Sequence, residues 1–230
     1  MRIIRNIALF CFSALFLWPI ASFGQVKPLA TGDIITRTSL VAQQIGNGPV
    51  TFAPKESITL EVLIEDNGDR KFFESQGFGK PVYYANDKFF TDIIWRDKRI
   101  PQNLRFVRFP PGGKLEPSMQ WDVPPYYTKS CGSTKAASVL NYKATSENGP
   151  DVIITIDGKD TTVTTIRIFY EGWLPTCNPG FTWKKTHEVL YSPELNELIS
   201  TKVVEWYMAT MFMEGGGGWA ITSIKTGDKK

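Results

Sequence analysis

The chain has 230 residues, 42% hydrophobic and 21% charged, with 26 Lys and Arg against 23 Asp and Glu. That length buries a full core, as one larger domain or two smaller ones. A formal net charge of +3 leaves no electrostatic footprint for nucleic acid or an acidic membrane surface.

The first segment reads "MRIIRNIALFCFSALFLWPIASFGQ", with Arg2 and Arg5 ahead of an apolar run from Ile7 to Ile20 and small residues from Ala21 to Gly24. This is the layout of a secretory signal peptide, and it predicts that residues 1–24 are removed and that residues 25–230 work in the periplasm or outside the cell. The run is short of the roughly 20 residues a membrane span needs, and no later stretch approaches that length, so no transmembrane segment is expected in the mature chain. Cleavage removes Arg2 and Arg5 and no acid, leaving 24 basic residues against 23 acidic. It also removes Cys11, leaving Cys131 and Cys177. In an oxidising compartment these two predict one disulfide. Closing a loop of that length contributes roughly 4 kcal/mol through the unfolded chain. The competing reading is a reactive Cys131 in "KSCGSTK" served by His187, which requires an unpaired thiolate.

From residue 34 onward the pattern is that of strands. In "ITLEVLIED", Ile58, Leu60, Val62 and Ile64 fall on one side of a period of two, and "DVIITID" repeats the pattern with Val152, Ile154 and Ile156. "TVTTIRIFYEG" is rich in the β-branched and aromatic residues that suit a pleated surface. Further strands are predicted in "DIITRTSL", "PVYYAN", "KFFTDIIW", "NLRFVRF", "SVLNYKATS", "FTWKKTHEVLY", "ISTKVVEWY" and "WAITSIKT". Hairpin turns are expected at Asn67-Gly68, Asn148-Gly149 and Asp157-Gly158, because a type I′ turn needs positive φ at both central residues. Short helical turns are expected near Ser39–Gln44 and Ser133–Leu140. The predicted fold is mainly β: an antiparallel meander forming a curved sheet, partial barrel or sandwich with few short helices. Prolines crowd residues 101–125, where they oppose continuous pairing, so the domain is read either as one unit or as two lobes joined there.

Other motifs resolve as structure. "EDNGD" has acidic and amide groups at alternate positions, but Arg70 and Gln76 stand where a calcium loop needs Gly and Glu. "EGGGGWA" lacks the Lys-Ser/Thr of a phosphate loop and is read as a flexible loop between the last two strands. One His and two bonded cysteines do not make a zinc site, and no cofactor motif is present. His187 shares strand parity with Trp183, Val189 and Tyr191, which places it on an apolar-leaning face as a hydrogen-bonded structural residue. Adjacent aromatics such as Phe72-Phe73 and Tyr83-Tyr84 must put one ring on each sheet face.

In "YSPELN", Ser192 suits a helix N-cap, Pro193 the first helical position, and Asn196 the left-handed residue that ends the turn. One tight helical turn between two strands follows. "LYSPELNELIS", preceded by "GKDTTVTTIRIFYEG", also resembles the C-terminal strands of a broad set of bacterial cell-envelope β proteins of unknown function. Those strands read Trp/Leu-Tyr-Ser/Ala-Pro-Glu-Leu-Gly, two residues, then Val-Lys. Tyr191 to Leu195 match; Asn196 stands for the glycine, Ile199 for the valine, and Ser200 departs from the lysine. Phe109 to Trp121, "FPPGGKLEPSMQW", is similar to the Gly-Lys-x-Trp opening of their second half with stretched spacing. The resemblance implies an exported β fold and no particular activity.

The functional expectation is an exported, non-enzymatic envelope protein that binds an apolar ligand or a protein partner. Its binding surface is expected among Tyr83, Tyr84, Trp95, Trp121, Tyr126 and Tyr127, beside the Pro-rich segment. The rival from another class is an envelope hydrolase or thiol enzyme built on Cys131 and His187, and a third reading is a purely structural envelope subunit.

Overall fold

The computed structural model describes residues 26–64, 66, 70–74, 81–86, 89–95, 98–99, 110, 114–123, 127–129, 136–138, 140–175, 182–207, 211–212 and 216–227. The first half supplies β1 (Ile34–Gln44), β2 (Val50–Ile64), β3 (Arg70–Glu74), β4 (Pro81–Asn86), β5 (Phe89–Trp95) and β6 (Lys98–Arg99). The middle supplies β7 (Gln120–Asp122), β8 (Tyr127–Lys129), β9 (Ala136–Ser138), β10 (Leu140–Asn148), β11 (Val152–Ile156) and β12 (Lys159–Val163). Last come β13 (Ile166–Pro175), β14 (Thr182–Ser192), β15 (Glu197–Tyr207), β16 (Met211–Phe212) and β17 (Gly217–Lys225).

Twelve of these follow one path, β6-β5-β4-β3-β2-β1-β17-β15-β14-β13-β10-β7, in a sheet that does not close into a barrel. The mainly β, antiparallel reading of the sequence is therefore what the chain adopts. Consecutive strands pair along β1 to β6 as a meander, and β13, β14 and β15 form another. The last strand, β17, enters between the two runs and pairs with both β1 and β15.

Several local expectations are corrected. No helix occurs among the described residues: the segment 39–44 lies inside β1, and Ala136–Ser138 and Leu140 belong to β9 and β10. Asn148-Gly149 does not close a hairpin. Instead β10 pairs with β13 in a register that sets Asn148 opposite Ile166, while β11 and β12 form a hairpin of their own inserted between them. The segment read as one strand, "TVTTIRIFYEG", breaks at Thr164–Thr165, where the chain leaves that hairpin for β13. Pro54 survives inside the long β2 because it sits opposite Leu40, beside a register shift after Thr38.

The last two glycines of the run are strand rather than loop: Gly217 and Gly218 open β17, and Gly216 just before them is buried, while Glu214 and Gly215 lie outside the described residues. A Cβ on Gly218 would fall on the Thr201 carbonyl oxygen of β15. A residue without a side chain is what lets β17 slide so close to its neighbour.

Apolar residues gather in two cores. The first holds Ile35, Leu60, Val62, Phe72, Ile154, Val163, Leu190, Leu195, Ile199, Ile221 and Ile224 with Leu29. The second holds Trp121, Val123, Ala144, Ile168, Tyr170, Val189 and Leu198. Val189 and Leu190 are neighbours in β14 yet belong to different cores, as do Leu198 and Ile199 in β15. Since successive strand residues point to opposite faces, this end of the sheet is covered on both sides.

Candidate functional site

The β11–β12 hairpin is the element that makes a site. Val152, Ile154 and Ile156 pair with Val163, Thr161 and Lys159, and Ile154 and Val163 are fully buried on the first core while Ile153 points out, 68% exposed. The turn is the predicted one: Asp157 has φ of 48° and Gly158 of 79°, which is how two residues can join paired Ile156 and Lys159. β11 also runs parallel to the end of β17, with Thr155 opposite Ser223 and Ile156 opposite Ile224.

Asp157 then ties the hairpin tip to the chain beyond β17. Its backbone N–H donates to the Ile224 carbonyl at 2.9 Å, and its carboxylate accepts the Thr226 N–H at 2.8 Å and the Thr226 hydroxyl at 2.7 Å. These two donors hold the carboxyl below its usual range. Asp33 acts on the next residue, for its carboxylate accepts the Gly227 N–H at 2.9 Å and the Ala30 N–H at 2.7 Å. Asp33 is itself 6% exposed, so its charge is buried against backbone donors.

Between these anchors lies a half-open pocket of about 600 Å³. Its apolar walls are Val26, Pro28, Leu29, Ile156, Leu195 and Ile224. Lys27, Lys159 and Thr161 supply the polar part of the lining, together with Asp33, Asp157 and Thr226. The volume falls in the range of small-molecule sites, which are mostly apolar with a few placed polar groups.

The "YSPELN" turn contributes one wall. Leu195 donates its N–H to Ser192 Oγ at 3.3 Å, the capping role expected of that serine, and Asn196 takes the left-handed φ of 49°. The Leu195 carbonyl accepts the Leu29 N–H at 3.2 Å, which brings the segment 26–29 against the turn. Behind it Glu197, 1% exposed, meets Arg70 at 3.4 Å and accepts the Leu198 N–H at 2.8 Å, and Arg70 also donates to the Asn196 carbonyl.

His187 lies elsewhere, 3% exposed on the apolar face expected for it. Its ring is 5.7 Å from that of Tyr170, which meets Trp121 edge-on at 6.3 Å. Among the described residues neither ring nitrogen has a hydrogen-bond partner, so the hydrogen-bonded role expected of it is not seen there. Burial, aided by the Lys185 charge, pushes its pKa down to about 3. Trp121 is 7% exposed and packs in the second core. Phe72 is buried and Phe73 half-buried, in line with one ring on each face.

Cys131, Cys177 and Tyr126, and with them the expected disulfide and the Cys131–His187 alternative, lie outside the described residues. Tyr83, Tyr84 and Trp95 fall on β4 and β5 and Tyr127 on β8, with their side chains outside the description. Sequence reasoning found the Asp157-Gly158 turn and the Ser192–Asn196 turn but missed the pocket between them. No local pattern signals it, because its lining comes from the segment before β1, the hairpin, the Leu195 turn and the end of β17.

No family model matches the chain, and no curated protein matches it. Among solved structures it is similar to a candidate lipoprotein from Parabacteroides distasonis ATCC 8503, at 12% identity over 87% of this chain and 98% of that one, with a TM-score of 0.38. It is also similar to a candidate exported protein with a YmcC-like fold from Bacteroides fragilis NCTC 9343, at 12% identity over 87% of this chain and 99% of that one, with a TM-score of 0.35. Identity this low and superposition this loose say nothing about shared chemistry. Among the described residues no helix is long and apolar enough to cross a membrane.

Proposed function

We propose that the chain is an exported, non-catalytic envelope protein that holds an apolar ligand in the pocket beneath the β11–β12 hairpin. The pocket carries this reading: six apolar side chains line it, and its two carboxylates are already engaged by donors of the chain itself. Carboxylates committed in this way hold the site together and are poorly placed to shuttle protons. His187, the one histidine, is buried with Tyr170 against its ring, which favours a packing role over that of a base. The signal-like segment ahead of residue 25 supports export.

Native mass spectrometry of the protein isolated from the envelope fraction of its own host tests this reading. A retained apolar mass is expected on the wild type and is expected to be lost from Thr161→Trp, where the indole fills the pocket. Ligand-free protein, or a mass that survives the substitution, sinks it.

A further inference from the structure

Resting on that reading, we propose that the ligand is a single-chain anionic amphiphile, with its acyl tail among Leu29, Ile156, Leu195 and Ile224 and its headgroup at Lys27 and Lys159. Both lysines line the pocket and both are exposed, and neither has an ion-pair partner among the described residues. The lysines of β14 and β15 differ: Lys184 meets Glu171 at 2.8 Å, Lys185 meets Glu205 at 3.2 Å and Lys202 meets Glu188 at 3.2 Å. Among the described residues neither Asp33 nor Asp157 forms an ion pair with Lys27 or Lys159; their oxygens accept from Ala30 and Gly227 and from Thr226. Two ammonium groups therefore stand at an apolar pocket with donors to offer. A carboxylate or phosphate on a hydrocarbon chain meets both features, since charge-assisted hydrogen bonds fix the head while the tail leaves water. A neutral hydrocarbon uses only the walls, and a small anion only the lysines.

Isothermal titration of the whole mature chain with dodecanoate, dodecanol and acetate, each below any micelle-forming concentration, separates these features. Dodecanoate is expected to bind about tenfold more tightly than dodecanol, and acetate not to bind; a tenfold ratio corresponds to about 1.4 kcal/mol. The double variant Lys27→Gln/Lys159→Gln, whose positions are exposed and whose fold is checked by thermal melting, is expected to lose that tenfold for dodecanoate and to keep its affinity for dodecanol. Thr161→Trp is expected to abolish both. If dodecanol binds and the double variant binds dodecanoate as tightly as the wild type, the headgroup inference is overturned while the apolar pocket stands. If neither amphiphile binds the wild type, both fall.

Discussion

His187 sits against the Tyr170 ring with no hydrogen-bond partner at either nitrogen among the described residues, and its pKa is pushed down to about 3 from an ordinary 6.5. The sign follows from linkage: the unfolded chain takes up the proton first, so this group's contribution is complete above pH 6.5 and is lost as the pH falls from there toward 3. Between pH 7 and pH 4 the wild type is expected to lose on the order of 3 kcal/mol through this residue. His187→Leu removes that part of the acid sensitivity, read as the difference in urea midpoint between the two pH values. A variant that loses stability as steeply as the wild type contradicts the assignment. Arg70 and Glu197 are the other buried charges with a clear consequence. Truncating one partner leaves the other uncompensated, and Arg70→Ala is expected to cost about 3 kcal/mol in equilibrium unfolding. The apolar parity of His187 was legible in the sequence. The Arg70–Glu197 pair was not, because it joins β3 to β15 and only the sheet brings them together.

The end of β2, where buried Leu60 and Val62 alternate with exposed Glu61 and Leu63, and the start of β11 were legible because one face is buried and the period of two shows it. The Asn148-Gly149 turn misled because its residue types fit a hairpin, whereas the pairing is set by the neighbours: β10 finds β13, and Gly149 donates its N–H to the Thr165 carbonyl at 2.9 Å. The glycine run misled for the same kind of reason, since close strand approach has no local signature. Gly218→Ala places a methyl on the Thr201 carbonyl and is expected to lower stability by about 2 kcal/mol in chemical denaturation, from the displacement of β17. Unchanged stability would show that β17 does not pass that close to β15. Asp157→Ala removes the acceptor of two Thr226 donors. Faster hydrogen exchange at the Thr226 amide is the expected result, with the Ile199 amide in the core unchanged, because the loss loosens the hairpin tip alone.

At the scale of the molecule, β17 carries two duties. Its first half joins the two meanders through β1 and β15, and its second half takes β11 as a parallel neighbour, which puts the hairpin over the first core and opens the pocket at its tip. The antiparallel β class could be read from the chain because many short alternating segments with turn residues between them admit few other architectures. The pocket could not, since its walls come from residues 26–29, the hairpin, the Leu195 turn and the end of β17, four places far apart in sequence. The most direct test of a ligand seat beneath the hairpin is a backbone amide NMR titration of the mature chain with dodecanol. Shifts concentrated at Leu29, Ile156, Thr161 and Ile224 are predicted; no shifts there, or shifts centred on β3 to β5 where the aromatic residues crowd, would contradict it.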